Sequence, residues 1–177
     1  MSSDLSIQPF HANYTGDVIS LFTEINSALA PAGKEQAFEN YIQISLDEDI
    51  GRIEEYYSEK QGGFWIALKD EKLVGMCGLE AVSNTNMELR QMYVAPSHRR
   101  QGIAQNLLSH AEVQCAKLGK TVLELSTSEI QEAALQLYPN AGFVLQREEV
   151  ATEASNKTIG GGINRFYFEK QVEEAQQ

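Results

Sequence analysis

Two spacings of apolar residues organise the N-terminal part of the chain, and each predicts a different element. Residues 5–10, LSIQPF, alternate apolar and polar positions as a short strand does. From Val18 to Leu29 the apolar residues recur at intervals of three and four, which predicts an amphipathic helix. The helical spacing returns from Gly33 to about Glu59, where Gly51 indicates a break between two helices. A strand followed by helices therefore opens the chain.

The middle of the chain is richer in strand-like runs. Residues 62–82, GGFWIALKDEKLVGMCGLEAV, contain two such runs around a polar turn, which predicts a hairpin. Residues 87–94, MELRQMYV, predict a further strand that stops at Ala95-Pro96. A helix is expected after Gly102, and it ends at Gly119. Its apolar stripe consists of Ala104, Leu107, Leu108, Ala111, Cys115 and Leu118.

The C-terminal third alternates strand and helix patterns. A strand, a short helix that Pro139 ends, and two more strands are predicted, at residues 121–126, 131–138, 143–150 and 163–172. A polar, glycine-rich loop from Ala151 to Gly162 separates the last two strands. This order of elements implies a mixed α/β sheet with helices packed on it. The length of 177 residues favours one domain, residues 1–177.

The composition narrows the classes of partner. The chain has 14 Lys and Arg against 25 Asp and Glu, a formal charge of −11, which disfavours nucleic acid or an anionic membrane surface. A cationic partner fits better, although overall charge does not define a site. The acids on both sides of the break at Gly51 are interpreted as a solvated helix face: Asp47, Glu48, Asp49, Glu54 and Glu55.

Cysteines, histidines and apolar runs bear on metal binding and location. Cys77 and Cys115 stand far apart without CxxC spacing, so we expect reduced thiols and neither a disulfide framework nor a thiolate metal site. The three histidines lack ligand spacing, and no metal is expected. No secretory pattern opens the chain, and no run approaches the ~18 apolar residues of a membrane span. These patterns favour a cytoplasmic protein that does not insert into a membrane.

One stretch reverses the acidic character of the chain. Between Leu89 and Ala111 there is no acidic residue, whereas Arg90, Arg99 and Arg100 all fall inside it. In this stretch a predicted strand leads through a basic loop with Gly102 into a helix. Such an arrangement aims the first free N–H groups of the helix, and the positive end of its dipole, at one point. The stretch therefore predicts a phosphate site.

Two common nucleotide motifs do not account for this site. The dinucleotide fingerprint G-x-G-x-x-G needs three glycines, and Gly102 stands alone. The sequence GKT that begins at Gly119 would need a glycine at position 114 to form a phosphate-binding P-loop, and that residue is Gln114. This GKT also ends a predicted helix instead of beginning one.

What remains is RRQGIA, residues 99–104, which fits [R/Q]-x-x-G-x-[G/A] directly after a strand. This resembles the pyrophosphate loop of the GNAT superfamily of N-acetyltransferases. Further along, five residues lie in the register of a family motif: Ala134, Leu137, Tyr138, Gly142 and Phe143. The run ELRQMYVAP resembles the fourth strand of the family, and WIALKDEKLVGMCGL resembles its earlier hairpin.

The resemblance implies a fold, a reaction and a set of contacts. The fold is a mostly antiparallel sheet of about seven strands with about four helices. The reaction transfers an acetyl group from acetyl-CoA to a primary amine of a small molecule, protein or peptide, by direct attack in a ternary complex. The alternative is a non-catalytic acyl-CoA sensor or interaction module, and a homodimer stays open. The implied CoA contacts are Met92, Tyr93, Val94, Arg99, Arg100, Gln101, Gly102, Ile103, Ala104 and Gln131.

Two side chains are implied in catalysis. Glu88 is the candidate general base, because an amine with a pKa of about 10 must lose a proton before it attacks. The alternatives are that Glu88 is a strand-end carboxylate paired with Arg90, or that Glu80 or Glu124 serves as the base. Tyr138 matches the family tyrosine that hydrogen-bonds the departing CoA sulfur. The proline that follows Tyr138 disfavours helical geometry at this tyrosine.

Overall fold

The computed structural model describes residues 4–174. Within this range the predicted order of elements is confirmed, with seven strands and five helices, of which the third helix is a short one. The elements are β1 (Leu5–Pro9), α1 (Thr15–Leu29), α2 (Glu35–Glu48), α3 (Ile53–Glu59), β2 (Gly63–Lys69), β3 (Lys72–Ala81), β4 (Asn86–Val94), α4 (Ile103–Lys117), β5 (Val122–Ser128), α5 (Glu132–Asn140), β6 (Val144–Ala151) and β7 (Ile163–Gln171).

The strands form one mixed sheet in the order β1-β2-β3-β4-β5-β7-β6. Every neighbouring pair is antiparallel except β4 and β5. These two parallel strands pair only from Asn86 to Glu88 on β4 and from Val122 to Glu124 on β5. Beyond Glu88 the strands part, so the centre of the sheet opens into a V.

A bulge in β4 lies just after the point where the strands part. Gly78 of β3 lies opposite Arg90, whereas Met76 lies opposite Tyr93, so β4 contains one more residue than β3 over this interval. Inside it, Gln91 has a φ of +52°, in the left-handed region. A bulge bends its strand and increases the local twist. The bulge therefore turns the end of β4 away from β5 and contributes to the opening.

Apolar side chains cover both faces of the sheet and form two cores. The first lies under α1, α2 and α3 and includes Phe22 and Phe38. The second lies under α4 and α5 and includes Leu107 and Leu123. The stripe predicted for α4 is confirmed in its centre, but Leu118 is 44% exposed. Leu118 is the C-cap residue, one position past the last residue of α4, Lys117.

The end of α4 follows the prediction, and the end of α5 does not. Gly119 has a φ of +76°, and the next residue, Lys120, donates its N–H to the carbonyl of Cys115 at 3.1 Å. This is the hydrogen-bond pattern of a glycine-terminated helix. By contrast, α5 continues through Pro139 to Asn140, and Tyr138 is helical. The proline is tolerated because it lies in the last turn and removes a single N–H.

None of the helices within residues 4–174 combines the length and the apolar character that crossing a membrane requires.

Candidate active site

The opening between β4 and β5 is the mouth of a cavity of about 940 Å³. Its walls come from α1, α2, β4, α4, β5, α5, β7 and the loop before β7. We distinguish two ends. The α4 end is lined by Met92, Tyr93, Val94, Arg99, Arg100, Gly102, Ile103 and Ala104, and the β7 end by Glu88, Arg90, Ser126, Asn156, Lys157 and Arg165.

The α4 end has the features of an anion site. Gly102 caps the helix with a φ of +78°, and no side chain of the described residues caps the first turn. Beyond its immediate chain neighbours, a Cβ on Gly102 would meet no atom of residues 4–174 within 4 Å, so the space around it is open. The free N–H groups and the positive end of the dipole face that space. Arg99 and Arg100 line the same space and add positive charge.

Eleven of the twelve site residues predicted from the sequence line this cavity. The exception is Gln101, whose side-chain carbonyl accepts a hydrogen bond from Lys69 Nζ at 2.9 Å on the outer surface. Gln131 lies on the cavity wall, and its Oε1 accepts a hydrogen bond from Thr127 Oγ1 at 2.7 Å. The loop sequence therefore brings together the residues implied by the resemblance, apart from one outward side chain.

Tyr138 reaches the cavity from α5. Its ring is buried against Phe143 and Phe168, with ring centroids 5.7 and 6.2 Å away. No residue within the described range forms a hydrogen bond with its hydroxyl, which is left for a ligand. Burial, reinforced by the nearby Cys77, raises the pKa of Tyr138 above its ordinary value. The hydroxyl therefore stays protonated at neutral pH and is available as a hydrogen-bond donor.

Glu88 lines the β7 end and is ion-paired. Its Oε2 accepts from Lys157 Nζ at 2.8 Å, while its Oε1 lies 4.0 Å from Arg90 Nε. The pairing with Arg90 that the sequence suggested is thus present but long, and Lys157 is the closer partner. The carboxylate of Glu88 is 14% exposed, so it is within reach of a ligand in the cavity.

Behind Glu88 lies a buried network centred on Arg90. Its guanidinium donates to Asp49 Oδ2 at 3.1 Å, to Glu80 Oε2 at 2.8 Å and to the Tyr56 hydroxyl at 2.9 Å. Interpreting Asp49 as solvated was wrong, because Asp49 is fully buried and pairs with Arg90. Burial raises the pKa of Asp49, and the positive charge of Arg90 opposes that shift.

The two other carboxylates considered for the base do not line the large cavity. Glu80 is buried between Arg90 and Lys157. Burial acts to raise the pKa of Glu80, but Arg90, Lys157 and a hydrogen bond from Tyr56 outweigh it and lower that pKa. Glu124 accepts from Asn86 Nδ2 at 2.8 Å and lines a neighbouring cavity of about 510 Å³. Of the three, Glu88 alone faces the large cavity.

The loop before β7 covers the β7 end. The carbonyl of Asn156 accepts from Arg90 Nη2 at 2.6 Å, and Lys157 pairs with both Glu80 and Glu88. Farther along, the carbonyl of Gly161 accepts from Lys34 Nζ at 2.5 Å. The loop is therefore held to β4 and to the start of α2 by charged hydrogen bonds.

Sequence reasoning missed Lys157 and Arg165. Lys157 belongs to a polar loop without a motif, so nothing in the sequence marked it. Arg165 did carry a signal, because it alternates with Ile163 and Tyr167 and so shares a strand face with an apolar residue. A charge at such a position is unusual unless it has a partner or a ligand.

Within residues 4–174, no group of three or more His, Cys, Asp or Glu residues is arranged to hold a metal ion.

The sequence profile of the acetyltransferase (GNAT) family matches residues 28–143, more than half of the 177 residues. The chain belongs to this family. It is similar to human N-acetyltransferase 8, with 34% identity over 58% of this chain and 48% of that protein. It is also similar to N-acetylaspartate synthetase of Xenopus tropicalis, with 33% identity over 59% of this chain and 39% of that protein. The chain spans about half the length of these curated relatives, or less.

A solved structure shares the fold. The PaiA N-acetyltransferase from Thermoplasma acidophilum, in complex with coenzyme A, superposes with a TM-score of 0.74 at 20% identity. The match covers 96% of this chain and 99% of that chain. The mixed, mostly antiparallel α/β fold predicted from the sequence is confirmed.

Proposed function

We propose that the protein is an acetyl-CoA-dependent N-acetyltransferase that acts on a primary amine. The observation that carries the proposal is that one cavity, at the parting of β4 and β5, joins a helix N-terminus without a side-chain cap among the described residues to a carboxylate. The α4 end suits the phosphates of a nucleotide-derived donor, and the β7 end suits an amine. The names of the relatives support N-acetylation.

The α4 end would hold acetyl-CoA. The N–H groups at the start of α4, with Arg99 and Arg100, are suited to the pyrophosphate because they present several donors and positive charge. The open space at Gly102 lets a phosphate approach the backbone. Backbone groups of residues 92–94 lie between that loop and the parting of the strands, where the pantetheine arm would run. Gln131 offers an amide on the opposite wall.

The reaction needs a neutral amine and a stabilised carbonyl oxygen. The amine nitrogen attacks the thioester carbonyl carbon, the C–N bond forms, the C–S bond breaks, and the amine proton passes to a base. Because β4 has no ladder partner on the β5 side beyond Glu88 in the described part of the chain, backbone N–H groups there are available to the developing oxyanion. Such donors, fixed before reaction, stabilise the transition state more than the ground state.

Glu88 and Tyr138 are suited to the two proton-handling roles of the reaction, which are to accept the amine proton and to donate a hydrogen bond to the leaving sulfur. Glu88 is the candidate base, because it alone of the three carboxylates faces the cavity. Tyr138 is the candidate donor to the leaving thiolate, because its hydroxyl is protonated and has no other partner among the described residues. Full proton transfer from a tyrosine to a thiolate is uphill by about 2 kcal/mol at ordinary pKa values. Hydrogen bonding to the sulfur is therefore the role we assign.

The test combines binding with turnover. Acetyl-CoA binding is measured by calorimetry, and CoA thiol release is followed with a panel of amines, peptides and proteins. We expect binding together with turnover on at least one acceptor. Tight binding without turnover on any acceptor would replace the enzyme with an acyl-CoA sensor.

The base is tested by Glu88→Gln, with Glu124→Gln as a control outside the large cavity. Glu88→Gln should lower kcat/KM at pH 7 and lose less at pH 9.5, where more of the amine is already neutral. Glu124→Gln should behave as wild type. An unchanged pH profile for Glu88→Gln would remove Glu88 from the role of base.

A further inference from the structure

Arg165 is a buried cation at the β7 end of the cavity. It belongs to β7, where its backbone pairs with Ser128 and with Glu149. The residue is 8% exposed, and it lines the cavity. Its side chain lies on the same face of the sheet as Glu88, facing α2. The proposed acceptor end therefore contains an arginine that has no role in the proposed acetyl transfer or in donor binding.

The guanidinium of Arg165 makes few hydrogen bonds with the described residues. Its Nη2 donates to Ser126 Oγ at 2.9 Å, and its Nε is buried and has no hydrogen-bond partner among the described residues. No carboxylate in the part of the chain that the structure describes lies within ion-pair distance of it. A guanidinium carries five N–H donors, so most of its capacity is unused.

Two other cations at the β7 end, unlike Arg165, have counterions. Arg90 pairs with Asp49 and Glu80, and Lys157 pairs with Glu80 and Glu88. Both are engaged in holding the loop and the sheet together. Arg165 differs because it is just as buried as Arg90 and yet has no counterion among residues 4–174. Burying an unpaired charge is costly, and a ligand anion would remove that cost.

The surroundings of Arg165 agree with a charge that needs a partner. Burial lowers the pKa of Arg165, and the neighbouring Tyr41, Tyr167, Tyr93 and Glu88 act in the opposite direction. Three of these four neighbours are phenols, which are neutral at pH 7 and do not compensate the charge. Glu88 is the nearby carboxylate, and Lys157 already pairs with it.

The charge of the whole cavity points the same way. The chain has a formal charge of −11. The cavity nevertheless is lined by five cationic side chains, Arg90, Arg99, Arg100, Lys157 and Arg165, and by two carboxylates, Glu88 and Glu132. At the β7 end, however, Arg90 and Lys157 are paired with carboxylates, so Arg165 is the cation there that lacks a counterion among residues 4–174. Arg165 would repel a cationic group of an acceptor and attract an anionic one.

We propose that the acceptor is an amine that carries a carboxylate, as a free amino acid does, and that Arg165 binds this carboxylate while the amine faces Glu88. This inference rests on the proposed function. A carboxylate is the preferred partner because its two oxygens match the planar fork of a guanidinium. Opposite charges at one end of the cavity would orient the acceptor with its nitrogen towards the parting of the strands.

The first experiment uses the wild-type protein and matched acceptors. CoA release is measured at fixed acetyl-CoA for L-amino acids and β-alanine, for the corresponding amino-acid amides, and for the decarboxylated amines. Taurine and aminomethylphosphonate serve as other anions. We expect kcat/KM for carboxylate acceptors to exceed that of their amides and decarboxylated amines by about 10- to 100-fold, the worth of one charged hydrogen-bonded contact.

The second experiment assigns the preference to Arg165. Arg165→Met should remove the preference for the carboxylate, mostly through a higher acceptor KM, while the affinity for acetyl-CoA stays within about 2-fold. Arg165→Lys should keep part of the preference, because it retains the charge without the fork. Arg52→Met is the control, since Arg52 lies outside the cavity and pairs with Glu55 and Glu59 on the surface. This control should behave as wild type.

The outcomes separate the two proposals. If no amine of any kind is turned over, the proposed function fails. If amides and decarboxylated amines are turned over as well as amino acids, the enzyme stands and the role of Arg165 is wrong. Equal or faster turnover of the sulfonate or phosphonate would likewise overturn the assignment of a carboxylate. The wild-type panel decides this even if Arg165→Met does not fold.

Discussion

The two ends of the cavity are built in different ways. The α4 end is made from one continuous stretch, residues 92–104, and it offers mainly backbone groups, a glycine and two exposed arginines. The β7 end is made from side chains that are far apart in the sequence, such as Glu88 and Lys157, 69 residues apart, and Ser126 and Arg165, 39 residues apart. A ligand that is the same in every family member can be bound by local backbone geometry. A variable acceptor needs side chains.

The charges at the two ends are also used differently. At the α4 end, no carboxylate within residues 4–174 pairs with Arg99 or Arg100, so they are available to a ligand. At the β7 end, Arg90 and Lys157 are tied to carboxylates and to the loop. Substitutions at the first end should therefore affect binding more than stability. At the second end they should affect stability, acceptor binding, or both.

The largest effect should come from Arg90→Met. It leaves Asp49 and Glu80 buried without their main counterion, which is expected to cost about 3–5 kcal/mol in the free energy of unfolding. Urea unfolding followed by circular dichroism measures the change. The surface variant Arg52→Met should be nearly as stable as wild type, because its pairs with Glu55 and Glu59 are exposed to solvent. A loss below about 1 kcal/mol for Arg90→Met would mean that the β7 end does not depend on this network.

The second-largest effect should come from Gly102→Asp, which is expected to weaken the binding of acetyl-CoA. The added carboxylate would repel the pyrophosphate and fill the space in front of α4, so the Kd for acetyl-CoA should rise by about 100-fold or more. Gly119→Asp is the matched control, because Gly119 also has a positive φ with open space around it and does not line the cavity. Calorimetry compares the two. Equal affinities would show that the α4 end does not hold the phosphates.

Tyr138→Phe should have a smaller effect, confined to turnover. The ring keeps its packing against Phe143 and Phe168, and only the hydrogen bond to the leaving sulfur is lost. We expect kcat to fall on the order of 10-fold, less than for the loss of an oxyanion donor because sulfur accepts hydrogen bonds weakly. Since burial raises the pKa of Tyr138, its ionisation should not cause a fall in wild-type kcat below about pH 10. Wild-type-like kcat in the variant would exclude the role.

Lys157→Gln should give the smallest change. Lys157 is 39% exposed, so its pairs with Glu80 and Glu88 should contribute less than about 1 kcal/mol. Burial acts to lower the pKa of Lys157, but Glu88 and Glu80 outweigh it and raise that pKa. A raised lysine pKa gives stability that is complete below the unfolded value, about 10.4, and is lost as the pH rises through the folded value.

Protonation of Glu80 determines the pH below which the same ion pairs no longer stabilise the fold. Its pKa is lowered, so its contribution is present above the unfolded value of about 4.3 and is lost as the pH falls through the folded value. The stability difference between wild type and Lys157→Gln should therefore be flat from about pH 5 to pH 9.5 and shrink on both sides. Urea unfolding across this range checks it. A difference that grows at high pH would contradict the assignment of the ion pairs.

The spacing of apolar residues was enough to predict the strands and helices, because the buried face of an element is formed by residues that are close together in the sequence. The hairpin of β2 and β3, the stripe of α4 and the glycine after it all follow from spacings within one or two turns. The wrong predictions concern residues whose surroundings depend on where an element ends or on residues far away in the sequence. Leu118 lies past the end of α4, and Asp49 looked solvated because its partner Arg90 is on another element. Pro139 looked like a terminator, although the last turn of α5 tolerates it.

By itself, the sequence determined the strands and helices, the family resemblance and the loop from Arg99 to Ala104, because backbone conformation and helix capping depend on neighbouring residues. Only the tertiary structure decided that Glu88 faces the cavity, that Lys157 reaches it from a distant loop, and that Arg165 lies buried without a counterion among residues 4–174. Charge compensation depends on distances across the fold, and no local pattern encodes them. The acceptor end is therefore a property of the folded chain.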